Sequence, residues 1–244
     1  MFERLKMKLS QIFGRRKRPF EIEADRIYRE KLGELRVEHG DGFDLVQFGG
    51  DYETYRKVQV LANKAKIDWR SVSQEEIDFV CHTLKNAGVD IRAVLCHGTR
   101  NGAEQSFFRN QLPDAEILGT EISETASQFP MTIQWDFHEV KPEWRGHFDV
   151  IFSNSWDHTY DPHKLAPAWL ACVAPNGALV LEWSNVHGDT PADMVDPFRA
   201  SLDGLTNLIN QHGRGAGFAP ATIVMRPADT KRAKHYVIAR RTAG

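Results

Sequence analysis

Residues 91–105 read IRAVLCHGTRNGAEQ, and the reading of this stretch decides the fold. Ile91 to Cys96 form a short apolar run, the pattern of a strand buried on both faces. Gly98 follows directly and permits a tight turn close to a ligand. Gly102 opens a helix, AEQSFFRNQL; a glycine there lets the helix begin against the strand and aims its backbone N–H groups outward. Strand, glycine loop and helix in that order begin a parallel unit, because parallel strands need a crossover between them.

The alternation continues downstream. Strands are expected at 116–122, 131–135, 148–154 and 177–183, with helices at about 162–173 and 192–212. The runs ATIVMR (221–226) and HYVIARR (235–241) suit an antiparallel pair joined by Pro227-Ala228-Asp229. The expectation is an α/β fold, a doubly wound, mostly parallel seven-stranded sheet with helices on both faces and a helical N-terminal extension. Upstream, helices are expected at about 21–33 and 52–66. A third opens on the capping box of Ser73 and Glu76 and closes near Gly88. Between the first two lies a turn-rich stretch, HGDGFDLVQFGGD (39–51). The chain thus divides into residues 1–19, 20–90 and 91–244.

Composition bounds the function. The 244 residues are 41% apolar and 26% charged, ordinary for a globular protein. The net charge of -2 gives no global field for nucleic acid. Residues 1–18 nevertheless carry seven Arg and Lys against Glu3, leaving the remainder at -8. Phe2, Leu5, Leu9, Ile12 and Phe13 fall on one face of this basic segment, which suits either peripheral contact with an anionic membrane or packing on the domain. Cys81, Cys96 and Cys172 are widely spaced and expected to be reduced, as in a cytoplasmic protein. No apolar run reaches the ~18 residues of a membrane span, and no uninterrupted apolar stretch marks a secretory signal.

Ligands of open α/β sheets bind beyond the carboxyl ends of the strands. Glu121, 19 residues past Gly102, ends the second strand and is placed to accept from both hydroxyls of a ribose. Asp136 and Phe137 follow the third strand; the aspartate suits an adenine amino group and the phenylalanine suits stacking on the ring. Three strand tips therefore converge on one nucleoside-like ligand.

From Ile91 to Trp183 the chain resembles the class I S-adenosylmethionine-dependent methyltransferase family. The glycine loop, Glu121 and Asp136 stand where that family has its glycine motif and two acids. FDVIFSNSWDH (148–158) is similar to the family's fourth-strand segment, and VAPNGALVL (173–181) to its turn into strand five. The resemblance implies S-adenosylmethionine as cofactor, held by His97, Gly98, Thr99, Gly102, Glu121, Ile122, Asp136, Phe137 and Ser153. It departs from the family pattern at two positions. Cys96 replaces an acid that helps hold the methionine end, and Arg100 replaces the middle glycine. His97, Thr99, Arg100 and Asn101 are candidates to substitute for the acid.

Methyl transfer needs the acceptor within about 3 Å of the methyl carbon and a group to take its proton. His158 is the candidate base, with Asp157 orienting it or touching the acceptor. The alternative is that Asp157 and Asp161 only cap the next helix. With Asp161 and His163 close by, these residues also hint at a metal, but their spacing is no known ligand pattern and no metal is expected. Trp183, His187 and Asp189 follow strand five, where acceptor contacts belong. The segment from Tyr52 to Lys66 is read as a lid, a site for an anionic acceptor, or a solvated helix. The acceptor class expected is a small molecule or saccharide. Competing readings are a non-catalytic binding protein on the same fold and a nicotinamide-dependent oxidoreductase. Nucleic acid is disfavoured by the acidic body of the chain and the lack of a base-flipping motif.

Overall fold

The computed structural model describes residues 19–185, 190–227 and 234–242. In chain order the elements are α1 (Pro19–Leu32), β1 (Val37–Gly40), β2 (Phe43–Val46), α2 (Tyr52–Ala65), α3 (Gln74–Asn86), β3 (Ala93–His97), α4 (Ala103–Gln111), β4 (Glu116–Glu121) and β5 (Thr132–Gln134). They continue as β6 (Phe148–Ser153), α5 (Pro162–Cys172), β7 (Val173–Ser184), β8 (Phe198–Ala200), α6 (Leu202–Gly213), β9 (Thr222–Arg226) and β10 (Lys234–Arg240).

Seven strands form one sheet in the order β5-β4-β3-β6-β7-β10-β9. The first five run parallel, and β10 lies antiparallel between β7 and β9. The order reverses beside β3, so its carboxyl end is the switch point where a ligand crevice forms. β3 is buried at every position, as its apolar run requires. One face of the sheet packs Trp156, Trp169 and Leu205 under α5 and α6. The other packs Val80, Leu84 and Phe108 under α3 and α4.

Two expectations are corrected. The stretch 39–51 is not only turns, because β1 and β2 pair as a hairpin closed by Asp41-Gly42, with Gly42 at φ 79°. Asp-Gly between extended residues is a strong hairpin signal. The helix expected from 192 begins only at Leu202. Pro197 lacks an N–H and disfavours helical geometry before it, and Ser201 Oγ accepts from Gly204 N at 3.0 Å to start the helix there. The preceding residues instead form β8, which pairs with β2. The region 20–90 is helical as expected, with this one hairpin added, and is joined to the main domain through a three-stranded sheet. A third core unites them, in which Tyr28, Phe48, Tyr55 and Val58 pack with Met194 and Val195. The basic segment 1–18 lies outside the described residues, as do Ala228 and Asp229 of the expected final turn.

The approach of α4 to the sheet sets the glycine loop. A Cβ on Gly119 of β4 would fall 1.6 Å from Gln105 Nε2. Gln105 is fully buried and donates to Thr99 Oγ1 at 2.9 Å and Thr132 Oγ1 at 3.0 Å, joining the loop to β5. Gly119→Ala is expected to cost about 1–3 kcal/mol in urea unfolding. Combined with Gln105→Ala, the two losses should be less than additive because the clash is shared.

Candidate active site

Gly98 sits at φ 72°, and a Cβ there would meet Ser155 Cβ at 2.7 Å. The loop after β3 and the loop after β6 therefore touch through a glycine. Ser155 Oγ donates to Gly98 O at 3.0 Å and fixes the contact. Arg100 occupies the left-handed region at φ 47°, the conformation that a glycine would adopt more readily. The loop thus keeps its glycine-like path without the glycine. The guanidinium turns away to Trp69 O at 3.3 Å, and Asn101 Nδ2 donates to Ile67 O and Trp69 O.

Glu121 ends β4 with 1% exposure. Its Oε1 accepts from Asn63 Nδ2 at 2.7 Å and Ser123 N at 2.8 Å, and its Oε2 accepts from Arg100 N at 3.1 Å. Burial raises its pKa, and these donors partly offset the rise. Asp136 is turned elsewhere, accepting from Tyr52 Oη at 2.8 Å and His138 N at 2.9 Å, with His138 Nδ1 at 2.7 Å. Burial alone would raise its pKa, but the bonds to His138 and Tyr52 prevail and hold it at about 2.

These tips surround a cavity of about 380 Å³ lined by Gly98, Thr120, Glu121, Ile122, Trp135, Phe137, Ser155 and His158. Its remaining wall is one face of α2, carrying Tyr55, Gln59 and Asn63. Tyr55 Oη donates to His158 O at 3.0 Å, and Gln59 Nε2 donates to Val195 O at 3.0 Å.

His158 Nδ1 lies 2.9 Å from Val195 O, a contact that requires the proton on Nδ1, so that in the neutral ring Nε2 keeps its lone pair. Asp157 does not orient this ring. Its Oδ1 is 3.9 Å from Nε2, while Oδ2 pairs with Arg199 at 3.3 Å. Arg199 also binds Asp196 at 2.6 Å, so the cluster of Asp157, His158 and Asp196 already holds a cation.

The strand order, the antiparallel β10 and this cavity can be compared with solved structures. One is the 1,6-didemethyltoxoflavin N1-methyltransferase of Burkholderia thailandensis, with 1,6-didemethyltoxoflavin and S-adenosylhomocysteine bound. It matches at TM-score 0.58 and 16% identity over 85% of this chain and 99% of that one. The plantazolicin methyltransferase BpumL, with a triazolic desmethylPZN analog and S-adenosylhomocysteine, matches at 0.55 and 13% over 79% and 93%. The [4+2]-cyclase SpnF matches at 0.51 and 13% over 72% and 84%. The chain has the class I methyltransferase fold. No family model and no curated protein sequence matches the chain.

Within this methyltransferase fold, Gly98, Glu121, Ile122, Phe137 and His158 meet at the cavity as expected. Five expected cofactor residues do not line it. Thr99 and Ser153 are buried supports, bonded to Gln105 and to His97 O. Gly102 is the N-cap of α4 at φ 71°. Asp136 is engaged by Tyr52 and His138. His97 lies behind the wall, stacked on Trp169 at 4.8 Å. Asp161 caps α5 through Lys164 N at 2.9 Å, and His163 pairs with His212. Trp183 Nε1 donates to Ala200 O at 2.9 Å and packs against the core. His187 and Asp189 lie outside the described residues. Tyr55 was anticipated only within the segment read as a lid or acceptor site, and Gln59 and Asn63 were not singled out; their spacing of four, a polar stripe along one helix face, was the available signal.

His97 is held neutral. Burial first, then the neighbouring His138, depresses its pKa to about 3. The unfolded chain binds this proton below about 6.5 and the folded one does not. Its contribution to stability is therefore complete above pH 6.5 and is lost as the pH falls toward 3. Wild type should lose stability relative to His97→Phe by up to about 1.4 kcal/mol per pH unit in that window, read by urea unfolding at pH 7.5, 6 and 5.

Proposed function

We propose that the protein transfers a methyl group from S-adenosylmethionine to a small molecule or saccharide. One observation carries this reading: Gly98, Glu121, Phe137 and His158, from four strand tips, face a single cavity. Glu121 suits the ribose. A carboxylate has about four lone-pair sites; three are taken, one of them by Asn63. Two ribose hydroxyls fit only if the Asn63 amide yields its place. Helix α2 is on this reading a lid, which opens to admit the nucleoside and closes through Tyr55 and Gln59. The thiol of Cys96 is fully buried and provides no charge to the cavity.

The cofactor supplies an electrophilic methyl on a sulfonium. The chain supplies position and a base. Val195 O fixes the His158 tautomer, so Nε2 can take the acceptor's proton. A second cavity of about 820 Å³ adjoins across Tyr55, with Phe43, Phe48, Tyr52 and Tyr160 beside Glu38, Gln47 and Asp161. Aromatic faces with acidic and amide partners suit a polyhydroxylated ring, which favours the saccharide acceptor. A cytoplasmic location, with peripheral membrane contact through residues 1–18, extends the proposal. The alternative of a non-catalytic binding protein keeps Glu121 and leaves His158 without a role. The oxidoreductase reading is disfavoured by the antiparallel β10 within the sheet.

S-adenosylhomocysteine should raise the melting temperature of the purified chain, NAD should not, and Glu121→Ala should abolish the shift. Stabilisation by NAD alone would sink the proposal. His158→Ala should keep the affinity for S-adenosylhomocysteine and lose about 100-fold or more in methyl transfer, measured with whichever acceptor supports turnover. Full activity of that variant would remove His158 from the chemistry.

A further inference from the structure

The second cavity is walled by the rings of Phe43, Phe48, Tyr52, Tyr55 and Tyr160. Several of these rings meet at steep angles. Tyr55 and Tyr160 lie 4.6 Å apart at 54°, Tyr52 and Tyr160 5.9 Å apart at 67°, and Phe48 and Tyr55 5.6 Å apart at 77°. Rings so inclined form the corner of a box, and a box of aromatic faces attracts a cation through the ring quadrupoles.

The fixed charges on the wall have the matching sign. Glu38 and Asp161 line the cavity, and no Lys or Arg does. Asp161 Oδ1 accepts from Lys164 N at 2.9 Å to cap α5, while its Oδ2 takes no hydrogen bond among the described residues. The Lys164 ammonium pairs with Glu139, and His163 Nδ1 lies 3.1 Å from His212 Nε2. Tyr52 Oη donates to Asp136 at 2.8 Å, a carboxyl held at about 2 and therefore ionised at neutral pH. A phenol that donates to an anion is polarised toward it, which makes its ring face more negative.

We propose that this cavity binds a positively charged nitrogen, an ammonium or quaternary ammonium group, carried by the methyl acceptor. This rests on the methyl-transfer reading above and narrows its acceptor to an amine-bearing molecule, among saccharides an amino sugar. Tyr55 lines both cavities, so the acceptor extends past this ring to reach His158. A nitrogen held as a cation has no lone pair to give. The atom methylated is therefore a different one, on the His158 side of Tyr55.

The test is calorimetric titration of the full chain with choline and with 3,3-dimethylbutan-1-ol, which has the same shape without the charge. Choline should bind at least about tenfold more tightly. Tyr160→Leu should remove that preference, and Tyr160→Phe, which keeps a ring, should retain most of it. Asp161→Asn, which keeps an oxygen for the cap, should reduce the preference and serves if the leucine variant does not fold. Equal binding of the two ligands, no binding of choline, or a preference that survives both Tyr160→Leu and Asp161→Asn overturns the proposal. S-adenosylhomocysteine titrated into the same wild-type chain separates the two readings. Choline binding without S-adenosylhomocysteine binding would defeat the methyl-transfer reading and leave the cation site standing.

Discussion

The buried carboxylate of Glu121 is the constraint around which the strand tips are arranged. An acid with 1% exposure is tolerated only with donors in place, since an unpaired buried charge costs several kcal/mol. Its three donors come from different segments: Ser123 from the turn after β4, Arg100 from the glycine loop, and Asn63 from α2. Satisfying one side chain therefore fixes the loop after β3 and draws the N-terminal helix over the cavity. Moving any of the three would leave the buried carboxylate one donor short. The left-handed backbone of Arg100 follows from this demand, because that path brings its N–H to Oε2.

The parallel core was legible because each strand reports its environment locally. A strand buried on both faces must be apolar at successive positions, and β3 is buried at all five. Caps were legible for the same reason, since Ser73 and Glu76 satisfy each other within one turn. β8 was harder. Its partner is distant in sequence: it pairs with β2, about 155 residues earlier, and it has only three residues. In such short edge elements pairing outweighs periodicity, which then says little.

The site divided in the same way. Gly98, Glu121, Ile122, Phe137 and His158 were readable because a strand end fixes where the next residue points. Asp136 shows where that logic stops. Its position is right, but His138, two residues on, and Tyr52, 84 residues earlier, both take its oxygens. Position determines which groups are near; competing donors determine what a carboxylate does. The α2 residues offered a local sign only in their polar stripe; what they bind lies up to 136 residues away.

Fold and chemistry also separate here. The same architecture serves two methyltransferases and a [4+2]-cyclase among the structures compared, so the sheet alone does not choose a reaction. The tip of β3 bears the thiol of Cys96 where the resembled family has an acid. A motif read letter by letter would count Cys96 as a loss, yet β3 keeps its place at the switch of the strand order and its full burial without that acid.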